Sequence, residues 1–370
     1  MPRPALLPGM SRLFTPLTLR GITFRNRVWA APMCQYSSVD GHPTDWHLVH
    51  LGGIARGGAG AVIAEATAVH PDGRISPDDA GIWSDAQAAD YARITAFVRG
   101  QGAVPGIQLA HAGRKASTFA PWKGRGSVPA SEGGWTTVGP SPLAFGNYVP
   151  PVELSIDDIR ALVDDWAAAA RRAVAAGYEL IEIHSAHGYL LHEFLSPLSN
   201  RRTDAYGGDL DGRSRLLREI VDAVRANVPE HLPLAVRFSA TDWVEGGLTV
   251  EEVAEIAAGL PERGVDLVDV SSGGNSTEQK ITVGPGYQVP FARTVRERAK
   301  LPVAAVGLIT EPAQAEKILI DESADVILLG RALLREPTWP QRAALELGAD
   351  LEWPKQYERS RPTGRLTSVP

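Results

Sequence analysis

The chain of 370 residues contains a single cysteine. One thiol cannot close a disulfide within the chain, and it cannot build a cysteine-rich zinc or iron–sulfur site. Runs of one charge sign are missing as well: 37 basic and 43 acidic side chains give a formal net charge of −6, spread without blocks. A nucleic-acid binder would carry a basic patch or stripe, so no nucleic-acid partner is expected. Long apolar runs are also absent. The longest charge-free stretch, residues 133–152, holds four glycines and four prolines and cannot form a membrane helix. The first residues (MPRPALLPGMSRLF) lack the apolar region of a secretory signal. These absences lead us to expect a soluble, cytoplasmic protein with no membrane partner.

What is present is a rhythm. With 44% hydrophobic residues the chain can bury a large core. Short apolar runs rich in Val, Ile, Leu and Ala fall at 28–32, 60–64, 104–109, 180–184, 234–238, 267–270, 303–306 and 326–329. Most lack strict polar alternation, as strands buried on both faces should. Helical patterns lie between them at 45–56, 85–99, 157–176, 211–227, 249–263 and 312–320. Asp157 and Asp158 favour a helix start, Gly177 a helix stop, and Thr249 with Glu252 reads as a capping box. Eight strands alternating with helices, and no Gly-x-Gly-x-x-Gly fingerprint, predict an α/β fold of the (β/α)8 TIM-barrel type rather than a Rossmann sheet. A length prior of about 150 residues per domain would suggest two domains, but barrels exceed it as one unit. We expect one barrel domain over 1–370, with a core at about 13–348 and a tail at 349–370. One segment breaks the rhythm: residues 117–151, rich in Gly, Pro, Ser and Trp, form a long inserted loop after the third strand. In a barrel that loop lies on the C-terminal face, with the active site.

Polar residues should then collect at the C-terminal strand ends, and they do. The first run ends in Ala31, Pro32, Met33 and Cys34, followed by Tyr36. The third ends in Gln108, His111, Arg114 and Lys115, and the fourth in His184, His187, Gly188 and Tyr189. Arg237 lies inside the fifth run; Ser271, Ser272, Gly273 and Gly274 follow the sixth, Gly307 the seventh, and Gly330 with Arg331 the eighth. Glycine and serine at the last three ends leave backbone N–H groups for a phosphate, to which Arg331 could add charge-assisted bonds; alternatively Gly307 and Gly330 serve only tight turns. Two imidazoles, His184 and His187, can polarise a carbonyl, and the Tyr189 phenol can deliver a proton. A zinc reading lacks an evident third ligand. Arg237 needs either an anionic ligand or an ion pair with Glu182 or another barrel carboxylate. Cys34 is a buried small hydrophobe or a tuned thiol, and Gln108 satisfies a core group or reads a ligand edge. Neither a Gly-x-Ser-x-Gly elbow nor a P-loop occurs, and Lys115 is the only lysine placed for Schiff-base chemistry.

At these residues a family likeness appears. The segments LFTPLTLRGITFRNRVWAAPMCQYSS, GIWSD, GIQLAHAGRKA, IEIHSAHGYLLHEFLSPLSNRRTDAYGG, DVSSGG and VILLGRALLREP resemble the Old Yellow Enzyme family of FMN-dependent ene-reductases, in its thermophilic-like and xenobiotic-reductase subgroup. The likeness runs from Leu13 to Gln356-Tyr357-Glu358-Arg359. It implies a TIM barrel with non-covalent FMN on its C-terminal face and NADPH as reductant. By motif position, Ala31, Pro32, Met33, Cys34, Ala66, Gln108, Arg237, Gly330 and Arg331 would hold the flavin, with Ser272, Gly273 and Gly307 on its phosphate side. His184 and His187 would bind the substrate's carbonyl oxygen, Tyr189 would be the proton donor and Tyr36 a substrate contact, and Cys34 would tune the flavin. The resemblance also implies C=C reduction of α,β-unsaturated carbonyl compounds by hydride from FMN N5 and a proton from Tyr189, with enones, maleimides and nitro compounds as substrates. Arg359 would reach a neighbour's active site in a homodimer or homotetramer, although the chain continues 11 residues past it. The competing expectations are a barrel lyase or aldolase on a phosphorylated substrate and a non-catalytic barrel that binds a phosphate ligand.

Overall fold

A computed structural model describes residues 11–362; residues 363–370 of the expected tail lie outside the described residues. The described chain opens with a hairpin of β1 (Leu17–Leu19) and β2 (Ile22–Phe24). The barrel strands are β3 (Val28–Ala30), β4 (Ala61–Ala68), β5 (Val104–Ala110), and, after the long loop, β8 (Leu180–Ser185), β9 (Leu234–Ser239), β10 (Leu267–Ser271), β11 (Val303–Ala305) and β12 (Val326–Leu329). All eight pair in parallel and close, β12 against β3. Each falls within or against one of the eight expected apolar runs, so the TIM-barrel expectation holds. Two short strands pair across the loop, β6 (Val138–Gly139) within it and β7 (Val152–Glu153) just past its end.

The helices are α1 (Asp45–Arg56), α2 (Asp85–Gly100), α3 (Ile156–Ala175), α4 (Leu190–Leu195), α5 (Leu210–Asn227), α6 (Val250–Ala258), α7 (Val289–Ala299), α8 (Pro312–Ile320), α9 (Arg331–Arg335) and α10 (Trp339–Glu346). Local chemistry sets their ends. Ser155 and Asp158 form a capping box at the start of α3, and Gly177 just past its end takes φ +90°. The box of Thr249 and Glu252 starts α6 as expected. The helix expected to reach residue 263 stops at Ala258, because Gly259 and Pro261 follow and only a 3-10 turn, Pro261–Arg263, continues. Helix α7 was not among the expected helices. Its buried stripe is only Ala292, Val295 and Ala299, hidden among four charged residues. No helix among the described residues is long and apolar enough to cross a membrane.

Alternation on each strand divides the core in two. Outward residues such as Val62, Ile107, Ile183, Phe238 and Val270 pack against the helices. Inward residues Trp29, Ala61, Val104, Leu180, Ala235, Leu267, Ala304 and Val326 fill the lower barrel, plugged by Leu19 and Phe24 of the hairpin. Phe24 stacks on Trp29 with centroids 4.2 Å apart. A bulge interrupts β4 between Ala64 and Ala66. It turns Glu65 outward, where the carboxylate accepts from the Gln35 amide at 2.6 Å and meets His47 Nε2 of α1 at 3.2 Å. Ala66 is thereby returned to the barrel side, in register with Gln108.

Candidate active site

Above the apolar plug the barrel interior turns polar. Gln108 Nε2 donates to Glu182 Oε1 at 2.8 Å. Arg237 Nε lies 2.7 Å from Asp269 Oδ2, a close ion pair without the alignment of a hydrogen bond. Both carboxyls are fully buried, and burial pushes both up while Arg237 pulls them back. Arg237 thus takes a barrel carboxylate as partner, and that partner is Asp269, its register neighbour on β10, rather than Glu182. Its two η nitrogens make no hydrogen bond to any described residue.

The next layer is the turn after β8. His184 meets His187 and Tyr189 edge-on, each with ring centroids 5.2 Å away. Burial, followed by the nearby Arg237 charge, lowers both imidazoles well below their usual range, so both are neutral at neutral pH. His187 Nε2 lies 2.8 Å from Ser271 Oγ, while His184 Nδ1 is buried with no partner among the described residues. Burial pushes the Tyr189 phenol up, which keeps its proton. The turn is tight: His187 has φ +61° and Gly188 φ +73°. A Cβ on Gly188 would sit 2.2 Å from Gly274 O, and one on Gly274 would sit 2.6 Å from the His187 backbone. Backbone therefore packs on backbone between the ends of β8 and β10, which only glycine allows. Lys115 Nζ fastens the two turns, donating to His187 O and Gly274 O at 2.8 Å each. Burial lowers that amine to about 8. From the other side, the Gly188 amide donates to His192 Nδ1 at 2.9 Å, and His192 Nε2 faces Asp242 Oδ1 at 2.9 Å.

Cys34, Tyr36 and Tyr189 pack against one small apolar cluster that includes Ala66, Ala110 and Ala112. Burial, then Asp79 and Glu65, pushes the Cys34 thiol up. Tyr36 has φ +50° and meets Trp122 of the long loop edge-on at 5.6 Å. That loop builds one wall of a cleft of about 740 Å³ whose floor carries Tyr36, Lys115 and Tyr189. On the opposite side of the strand ends a cavity of about 150 Å³ is lined by Gly307, Leu308, Thr310, Gly330, Arg331 and Arg335. The expected free N–H at Gly273 is not found: it donates to Thr241 O at 2.8 Å. Ser272 donates to Gln288 Oε1 at 2.6 Å, and Gln288 Nε2 donates to Val306 O at 3.0 Å beside Gly307.

A family model described as the NADH:flavin oxidoreductase / NADH oxidase family matches residues 12–350. The chain belongs to that family. An NADPH dehydrogenase of Bacillus licheniformis is 47% identical over 352 residues, covering 94% of this chain and 98% of the relative. Among solved structures, an old yellow enzyme homologue from Zymomonas mobilis superimposes with a TM-score of 0.75 at 26% identity, over 95% of this chain and 99% of that one. A 2-naphthoyl-CoA reductase complex superimposes with a TM-score of 0.82 at 25% identity, over 90% of this chain; this chain spans 52% of that longer one. The chain is an FMN-dependent NADPH dehydrogenase of Old Yellow Enzyme type. The aldolase and scaffold expectations give way to this assignment, and Lys115 is engaged by two carbonyls rather than poised as a nucleophile.

Within this flavoprotein the structure gathers the expected residues into three groups. Ala66, Cys34, Tyr36 and Tyr189 meet in the apolar cluster; Gln108, Arg237, His184 and His187 stack above the plug; Gly307, Gly330 and Arg331 share the small cavity. Ala31 faces the apolar plug, and the Met33 sulfur lies 3.6 Å from the Cβ position of Gly330. Arg359 is not brought to its own chain's site. It is exposed on the 3-10 turn Lys355–Ser360, whose Tyr357 hydroxyl accepts from Arg56 Nη1 at 2.7 Å, at the end of α1 that leads into the start of β4. Asp269, Lys115's two bonds, Gln288 and Arg335 escaped the sequence reading. Asp269 alone left a signal there, a charge inside an apolar run just like Arg237.

Proposed function

We propose that this flavoprotein is an ene-reductase for activated alkenes such as enones, maleimides and nitro compounds. The observation that carries the reading is the pair of neutral histidines set edge-on, with beside His184 a protonated tyrosine that lines the cleft. The residues also fit FMN. Among the described residues neither the Arg237 η nitrogens nor the buried His184 Nδ1 has a partner, so both are open to an electron-rich ring edge, and the glycine-lined cavity adds Arg331 and Arg335 for a phosphate. Gln108, Cys34 and the backbone of 31–34 would complete that cradle, and Tyr36 would contact the substrate.

Bound FMN supplies hydride transfer from NADPH to the β-carbon of the alkene. His184 and His187 each offer a neutral N–H to the substrate's carbonyl oxygen. Those bonds strengthen as negative charge builds on the oxygen, which is where a preorganised donor pair lowers the barrier. Tyr189, whose proton burial retains, delivers it to the α-carbon. The test separates the half-reactions. Purified protein should be yellow and bleach with NADPH without oxygen. Tyr189→Phe should bleach normally but reoxidise with cyclohexenone about 100-fold slower or more. Equal slowing of both steps would remove Tyr189 from this role, and colourless protein that takes up no FMN would sink the reading.

A further inference from the structure

Among the described residues that line the cleft over Tyr189 there is no aspartate or glutamate, although the chain carries 43 acidic against 37 basic side chains. Its two cations are Lys115 and Arg125. Lys115 is committed to two backbone carbonyls, with its ammonium over the Phe145 and Tyr189 rings at 4.5 and 5.0 Å. Neighbouring cations are committed too. Lys123 pairs with Asp78 at 2.8 Å, Arg114 bonds Asn275 at 2.7 Å, and Arg74 bonds Pro71 O at 2.9 Å. Arg125 is different: it is exposed at the cleft edge and makes no hydrogen bond or ion pair to any described residue.

Its place is nonetheless fixed. Residues 118–127 form a closed hairpin, with Thr118 bridged to Ser127 and the Phe119 amide donating to Gly126 O at 3.2 Å. The tip is closed by Lys123 N donating to Ala120 O at 2.8 Å. A Cβ on Gly124 would lie 2.8 Å from the Phe119 ring, so the hairpin is packed onto that side chain. The backbone thus carries Arg125 on the cleft, which Phe119, Phe145, Tyr148 and Tyr189 also line. A guanidinium without a partner among the described residues, in a cleft that also holds aromatic rings, is suited to a planar, two-point anion.

We propose that Arg125 is a specificity-determining residue that binds an anionic group on the molecule occupying this cleft. Preferred ligands carry an apolar body along the aromatic walls and a carboxylate or phosphate at the end away from the reacting atoms. The proposal rests on the reading above for which end reacts. Two visitors offer that chemistry: a carboxylated activated alkene, and the phosphates of NADPH.

N-phenylmaleimide and N-(4-carboxyphenyl)maleimide share a reacting end and differ only in the distal carboxylate. In the flavin-loaded full chain, Arg125→Ala should raise the KM of the carboxylated probe about threefold to tenfold and leave the neutral probe within about twofold, with Arg125→Lys recovering part of the loss. If the reductant is the source, the KM for NADPH rises instead and both maleimides stay unchanged; this also supports the proposal. No change with any of the three, or equal changes for neutral and charged probes, overturns it. The unreactive products, N-phenylsuccinimide and its carboxylated form, give dissociation constants by flavin absorbance without turnover. Wild-type protein that reduces neither maleimide, yet binds the carboxylated succinimide more tightly through Arg125, would defeat the ene-reductase reading while upholding this one.

Discussion

Glu193 shows what a single buried side chain does at the edge of this site. It has no exposed surface, and its Oε1 accepts the Arg114 amide at 2.9 Å, leaving Oε2 without a partner among the described residues. Burial pushes it up to about 8, opposed by the Arg114 and Lys115 charges. The folded chain therefore holds a proton that the unfolded chain releases near pH 4.5. Stability from this group is fully present below that pH and is lost as pH rises toward 8. Glu193→Gln should flatten the fall in Tm between pH 5 and 8, measured by calorimetry at fixed ionic strength; an unchanged slope would mean the carboxyl is ionised throughout. Such residues are poorly legible in a sequence. Arg237 could be flagged, since a charge in an apolar strand demands a partner. Its choice of Asp269 over Glu182 depends on the β9–β10 register, which fixes which inward positions lie side by side.

At the scale of elements, the turn after β8 and the glycines after β10 act as one part. Lys115 bonds both from the cleft side, and His192 bonds the first through the Gly188 amide. Although burial opposes it, His192 and the hydrogen bonds of Ser196 and Leu248 hold the Asp242 carboxyl down to about 2, so an anion stands behind the imidazole. His192 is a positioning residue, because it touches Gly188 and not the cleft. The two bonds can be separated: asparagine reproduces the Nδ1 acceptor, glutamine reaches toward Asp242 instead. His192→Asn should keep the reoxidation rate within about threefold, whereas His192→Gln should slow it about tenfold to 100-fold with bleaching by NADPH unchanged. Equal rates in both variants would show that the amide bond does not place Tyr189. The strands themselves were readable, since burial on both faces leaves unbroken apolar runs. Helix α7 was not, because three small buried residues leave almost no stripe to read.

For the molecule as a whole, the barrel explains why distant segments converge. Residues from β3, β5, β8, β9 and β10 meet because a closed parallel sheet brings all their C-terminal ends to one rim. The long loop adds a wall that no periodicity foretold, since its shape comes from glycine turns and aromatic contacts. Arg359 lies at the opposite end of its own barrel, so we infer that any role in catalysis requires a second copy. If so, Arg359→Ala should leave the mass measured by sedimentation at that of an oligomer while raising the KM for cyclohexenone about threefold or more; a monomeric wild-type protein would refute it. The β4 bulge has a further reach. By turning Glu65 outward it links His47 on the outer helix shell to the amide of Gln35, the residue between Cys34 and Tyr36. Gln35 in turn accepts from the indole of Trp46, an exposed side chain on α1. A surface position on α1 is thus joined by a single hydrogen bond to the residue between Cys34 and Tyr36, so the outer helix and the chain beside the cleft share one support.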